Sequence, residues 1–263
     1  MSKAKGDRPT TLRHVLAWGV HFYTALGLVA AAAIAVLIVH GGDVAFRGCF
    51  LLMLAACVVD ATDGTLARKV GVKKVLPGFD GSKLDDITDF LNYTFLPLLL
   101  IWRAELIPES LSWCLLIPLV ASGYGFCQVS AKTDDGYFLG FPSYWNLVAF
   151  YLYLLRPETW LSVTLLIGLA FLTFVPSRYL YPSQKGRLNM FTNVLGAFWT
   201  GLLIVILLQL PPDPIPEARL TEEEIRKLAH LSLAFPIYYM AASWVISWRY
   251  WRRRRKSGLL LES

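Results

Sequence analysis

Four aspartates in this sequence have the spacing to act together: Asp60, Asp63, Asp85 and Asp89. Asp60 and Asp63 are three residues apart, and Asp85 and Asp89 four apart, so each pair shares one face of a helix. At ~1.5 Å rise per residue, Asp85 and Asp89 are separated by about 6 Å along the axis. Both pairs lie at the ends of apolar stretches. A charged aspartate at the centre of a membrane helix costs roughly 2.5–3.5 kcal/mol on insertion scales, and such residues are functional by default. A helical hairpin that brings the two faces together would gather four carboxylates into one volume. Oxygen donors of this kind suit hard divalent cations such as Mg²⁺ or Mn²⁺ rather than zinc. Four carboxylates are enough to hold two cations about 3.5–4 Å apart, the arrangement that serves phosphoryl transfer. Gly64 and Ala67 continue the first acidic face with almost no side-chain bulk, leaving room for a flat ring to approach the backbone, and Arg68 can add charge against a phosphate. Asp80 and Asp86 do not share this spacing, and each is read as a helix cap or a solvated charge.

The elements that carry these acids are membrane helices. Of 263 residues 56% are hydrophobic and only 17% charged, against about 25% charged in a soluble chain. That excludes disorder and argues against a soluble enzyme. The expected fold class is all-α: one integral membrane domain, residues 1–263, of about eight transmembrane helices. The expected spans are 22–40, 44–66, 84–102, 110–130, 143–156, 159–176, 189–210 and 230–248. An amphipathic interfacial helix over 10–20 is expected to precede the first. The second and third spans form a hairpin, 44–104, that holds the acids, and 189–250 adds two C-terminal spans.

Nineteen of the 25 basic residues fall on one side if both termini are cytoplasmic, which places the acidic cluster at the cytoplasmic surface. The net charge of +6 is then explained by topology and by attraction of the run Arg252–Lys256 to anionic lipid, with no nucleic-acid partner. The basic N-terminus resembles a signal peptide, but the apolar run continues through Val39 and is read as an uncleaved span. Cys49, Cys57, Cys114 and Cys127 form no CxxC pair and are read as packing residues. The four histidines show no metal-site spacing. The sequon Asn92–Thr94 falls within a membrane helix and is read as accidental.

The ordered set Asp60, Asp63, Gly64, Ala67, Arg68, Gly81, Asp85 and Asp89 resembles the signature of the CDP-alcohol phosphatidyltransferase family. It covers 30 residues, and the helical layout extends the similarity over most of the chain. Residues 69–80 put twelve positions between Arg68 and Gly81, where the family usually has eight. That longer interval, the segments Ala131–Asp135 and Gly140–Asn146, and eight spans rather than six are similar to the bacterial phosphatidylcholine synthase branch.

The resemblance implies transfer of a phosphatidyl group from CDP-diacylglycerol to choline at the bacterial inner membrane, with CMP as leaving group. It implies Asp60, Asp63 and Asp85 as ligands of two divalent cations, Mn²⁺ or Mg²⁺, with Asp85 bridging. Asp89 becomes general base and further ligand, and Gly64, Ala67, Arg68 and Gly81 shape the CDP site. Family members are often dimers, so a homodimer is carried over as an expectation. A quaternary ammonium calls for aromatic side chains. Many lie at the cytoplasmic level, and ordinary interfacial belts account for them too; Tyr144 and Trp145 rank first because they lie in the branch-like segment. Arg178, with Lys185 and Arg187, is a candidate for the lipid phosphate. Two rival readings stay open: the same chemistry with inositol, serine or glycerol phosphate as acceptor, and a cation-coupled transporter, against which the position of the acids at one surface argues. A noncatalytic scaffold would leave the acids unexplained.

Overall fold

The computed structural model describes residues 11–129, 133, 137–180, 186–210 and 220–256. The branch-like residues Ala131, Lys132, Asp134 and Asp135, the basic Lys3, Lys5, Arg8 and Lys185, and the proline-rich stretch 211–219 lie outside the described residues.

Helix is the dominant structure. In chain order the chain forms α1 (Thr11–His40), α2 (Asp43–Val70), a single turn α3 (Val72–Val75), α4 (Gly81–Asp89), a π-helical turn (Phe90–Phe95) and α5 (Leu96–Arg103). A 3₁₀ turn (Glu109–Leu115) leads into α6 (Leu116–Cys127). Then come α7 (Trp145–Leu155), α8 (Thr159–Leu172), α9 (Arg187–Gln209), α10 (Glu222–Ser232) and α11 (Ala234–Lys256). Among the described residues five helical stretches are long and apolar enough to cross a membrane: Thr11–His40, Asp43–Val70, Glu109–Cys127, Arg187–Gln209 and Glu222–Arg255. Trp145–Leu155 and Thr159–Leu172 are apolar but shorter. The chain is an all-α membrane bundle.

Three features depart from the sequence expectation. No separate interfacial helix over 10–20 forms; residues from Thr11 onward are the first turns of the 30-residue α1. Only Gly19 and Gly27 interrupt this alanine- and leucine-rich stretch, and Ala17 and Val20 bury against Val72 and Val75 of α3, so one continuous helix satisfies both packing and backbone. The third expected span is composite: α4 and α5 are joined by the π-helical turn, where Leu96 N–H reaches back to the carbonyl of Leu91, one residue further than an α-helical bond. Finally, the bundle carries a two-stranded antiparallel ribbon, β1 (Tyr137–Leu139) with β2 (Arg178–Leu180), which ties the connection before α7 to the one after α8.

The main core is built from α1, α2, α5, α6, α7, α8 and α9, with Ile34, Cys49, Leu100, Ile101, Trp145, Leu166 and Ile206 among its least exposed members. Phe50 and Phe150 meet edge to face at 5.3 Å between centroids, fixing α2 against α7. The apolar side chains that remain exposed, such as Phe22, Val39, Phe171 and Phe198, are the surface that a membrane would cover.

Candidate functional site

Helix α2 ends where Gly71 takes the left-handed conformation, φ 72° and ψ 40°, and its N–H closes on the Ala67 carbonyl. The chain turns through α3 and re-enters at Asp80, whose side chain caps α4 by accepting from the N–H groups of Ser82 and Lys83 at 3.1 and 3.3 Å. The cap expected for Asp80 is thus present, and Asp86 lies on the exposed side of α4. The cap fixes where α4 begins, and hence which face carries Asp85 and Asp89.

Gly81 follows the cap at the first position of α4, and a Cβ there would press on the imidazole of His21. His21 also packs on Phe79 at 4.4 Å between ring centroids, and Trp18 closes a three-ring cluster with both. Gly81 therefore lets α4 approach α1. A second close approach, not anticipated from the sequence, lies two turns further along. A Cβ at Gly27 of α1 would collide with Thr88 Cγ2, and the Gly27 carbonyl accepts from Asn92 Nδ2 at 3.0 Å. Asn92 is 2% exposed, so its amide serves packing.

With α2 and α4 so placed, Asp60, Asp85 and Asp89 each direct a carboxylate oxygen into one volume, all within 4.8 Å of one another. Two oxygens on the same Mg²⁺ at about 2.1 Å are at most about 4.2 Å apart, so a small closure would complete a shared ligand set. Like charges at 4.8 Å repel by about 3–4 kcal/mol at an effective dielectric near 20, which favours a bound cation or proton. The donor set, three half-buried carboxylates, fits a hard divalent cation.

Asp63 stands apart from this triad. It is buried, and its Oδ2 accepts from Thr24 Oγ1 of α1 at 2.7 Å. One residue earlier on each helix, Tyr23 and Thr62 join their hydroxyls at 2.8 Å. The second acid of α2 thus fastens α1 to α2. Arg68 is exposed; it donates to Thr65 Oγ1 at 2.9 Å, and Nη1 lies 3.3 Å from where a Cβ on Gly64 would stand. Gly64 and Ala67 are half-buried along the same face.

Three side chains stand beside the triad in roles the sequence reading did not give them: Tyr93 is one of the many aromatic candidates for the quaternary ammonium, and Asn146 belongs to the branch-like segment. Tyr93 donates its hydroxyl to Asp60 Oδ2 at 2.8 Å. Cys57, read as packing, shares a side-chain hydrogen bond with Tyr93. Asn146, at the start of α7, donates to Cys57 Sγ at 3.5 Å. A signal for Tyr93 was available, since it continues the four-residue rhythm of Asp85 and Asp89.

The aromatic and basic candidates lie elsewhere. Trp145 is fully buried, its indole N–H donating to Ser122 Oγ at 2.7 Å and its ring edge-on to Phe141. It is a core residue, and this corrects its expected place in an open choline site. Tyr144 is half-buried, with Phe141 and Tyr239 as ring neighbours. Arg178 is buried on β2, its guanidinium stacked 3.5 Å from the Tyr250 ring centroid and 5.4 Å from that of Tyr137.

The chain is similar to several curated bacterial proteins. It is 38% identical over 208 residues to a phosphatidylcholine synthase of Pseudomonas aeruginosa, covering 78% of this chain and 85% of that one. Identity to the phosphatidylcholine synthase of Borreliella burgdorferi is 36% over 179 residues, 68% of this chain and 75% of the other. Identity to that of Legionella pneumophila is 39% over 191 residues, 69% and 71% of the two chains. No family model matches the chain. The identity and mutual coverage of these relatives show that the chain belongs to the phosphatidylcholine synthase family.

Proposed function

We propose that the chain transfers the phosphatidyl group of CDP-diacylglycerol to choline, yielding phosphatidylcholine and CMP. The observation that carries this reading is the convergence of Asp60, Asp85 and Asp89 within 4.8 Å, in a chain whose relatives are named for the product. In the proposed reaction the choline oxygen forms a bond to the phosphorus of the diacylglycerol phosphate. The bond from that phosphorus to the CMP oxygen breaks, and the hydroxyl proton passes to Asp89. An alcohol is a poor nucleophile and needs such a positioned base.

Two divalent cations, Mn²⁺ or Mg²⁺, held by Asp60, Asp63, Asp85 and Asp89, would supply positive charge against the diphosphate. Asp63 also holds α1 through Thr24, which orients the face that presents Asp60. Gly64 and Ala67 would leave space for the cytidine moiety, Gly81 would shape that site by letting α4 approach α1, and Arg68 would meet a phosphate. Tyr144 is the remaining candidate for contact with the quaternary ammonium, and Arg178 for the lipid phosphate, its charge spread over Tyr250 and Tyr137.

The topology proposed with this chemistry has eight crossings in one domain, 1–263, with both termini in the cytoplasm. It places the site at the cytoplasmic face of a bacterial inner membrane, where acyl chains stay in lipid while the headgroup reaches water. The catalytic hairpin is 44–104, and 189–250 supplies two further spans. The excess of basic residues on that side supports the orientation. A homodimer is proposed on the resemblance alone.

An acceptor panel tests the reading. Membranes containing the chain are given CDP-diacylglycerol and Mn²⁺ with choline, inositol, serine or glycerol phosphate, and CMP release is measured. Release is expected with choline above the other alcohols; preference for another alcohol would overturn the acceptor.

A further inference from the structure

Behind the triad, side chains from α2, the π-helical turn and α7 form a chain of hydrogen bonds that ends on one triad carboxylate. Asn146 Nδ2 donates to Cys57 Sγ at 3.5 Å, Cys57 is hydrogen-bonded to Tyr93, and Tyr93 donates to Asp60 Oδ2 at 2.8 Å. Tyr93 has one hydroxyl proton, which it gives to Asp60. The sulfur of Cys57 receives from the Asn146 amide and sits beside the phenol.

The backbone around Tyr93 serves this arrangement. The π-helical turn begins at Phe90, directly after Asp89, and places one extra residue in the turn. Asn92 is thereby held to α1 through Gly27, while Tyr93 meets Asp60 across the hairpin.

We propose that Tyr93 is a positioning residue for the cation site: its hydrogen bond orients the Asp60 carboxylate, with Cys57 and Asn146 packed behind the phenol. This rests on the reading of the triad as a divalent-cation site. It makes the start of α7 part of the site's support, with Asn146 acting through Cys57 and Tyr93. Loss of such an outer hydrogen bond typically weakens metal binding about 10–100-fold.

The test uses the purified full chain and Mn²⁺ alone, with binding followed by the paramagnetic resonance of free Mn²⁺. Tyr93→Phe keeps the ring and removes the donor, and is expected to weaken Mn²⁺ binding about 10–100-fold while the metal-free melting temperature stays near that of the parent. Cys57→Ala is expected to weaken binding by a smaller factor, and Cys57→Ser, which retains a donor and an acceptor, to recover most of it. Should Tyr93→Phe fail to fold, the Cys57 pair decides alone. Parent-like Mn²⁺ binding in Tyr93→Phe, or equal defects in the two Cys57 variants, would overturn the proposal. A parent chain that binds no Mn²⁺ would overturn it together with the cation reading. A parent that binds Mn²⁺ but does not use choline removes only the acceptor assignment.

Discussion

The hairpin end of the molecule and its C-terminal pair of helices both bury polar side chains among apolar ones, and they do so by different means. In the C-terminal region the hydroxyls of α11 close on the backbone of β2. Ser247 Oγ accepts from the N–H of Arg178 at 2.6 Å, Ser243 Oγ accepts from Leu180 N–H at 3.4 Å, and Tyr239 donates to the Leu180 carbonyl at 2.8 Å. Strand β2 pairs with β1 on one side and with these hydroxyls of α11 on the other, so its backbone groups are met by neutral partners. At the hairpin end the groups are carboxylates aimed at one another. Hydroxyls against backbone lower the energy of the fold as it stands. Converging carboxylates raise it until a cation arrives. Polar residues of the first kind hold structure, and those of the second mark function.

Substitutions that remove one kind at a time would break or sharpen this contrast. The largest effect is expected at Asp89. Asp89→Asn removes the proposed base without changing shape, and turnover should fall by about 10²–10⁴-fold. The melting temperature should not fall, because one of three mutually repelling charges is gone. Full turnover in this variant would reject the role of Asp89.

A middle effect is expected where α1 supports the hairpin. Gly27→Val places a side chain against Thr88, one residue before Asp89, and overpacking of this kind costs about 1–3 kcal/mol. Both thermal stability and activity should drop, because the collision moves the acids as well as the helix. A stability loss with unchanged kcat would show that the triad does not depend on this contact.

The smallest effect is expected at the C-terminal end. Ser243→Ala leaves the Leu180 N–H short of its partner and should cost about 1–3 kcal/mol of stability, with the activity of the folded fraction retained. A selective loss of turnover there would blur the distinction between the two regions.

The acids were legible in the sequence because their spacing is local: three and four residues along a helix put Asp60 with Asp63 and Asp85 with Asp89 whatever the rest of the chain does. The cap at Asp80 was legible for the same reason. Which of four acids meet was not, because that depends on α1. Thr24 claims Asp63, and nothing near Asp63 in the sequence announces it. The support of Tyr93 by Cys57 and Asn146 joins residues 36 and 89 positions apart, beyond the reach of any periodicity. Trp145 shows the opposite failure. An aromatic residue at the end of a span has the same composition whether it lines a site or fills a core, and Ser122 with Phe141 decides for the core. The π-helical turn and the ribbon escaped because each rests on a long-range contact, Asn92 with Gly27 and Tyr137 with Leu180, rather than on local preference.

The central claim is that the triad is a divalent-cation site serving phosphatidyl transfer. Its most direct test is the reaction of the purified chain with CDP-diacylglycerol and labelled choline, with and without Mn²⁺, following phosphatidylcholine and CMP together. The account predicts equal molar amounts of the two products, formed only when the cation is present and lost on chelation. Product formation that persists after complete chelation would contradict it.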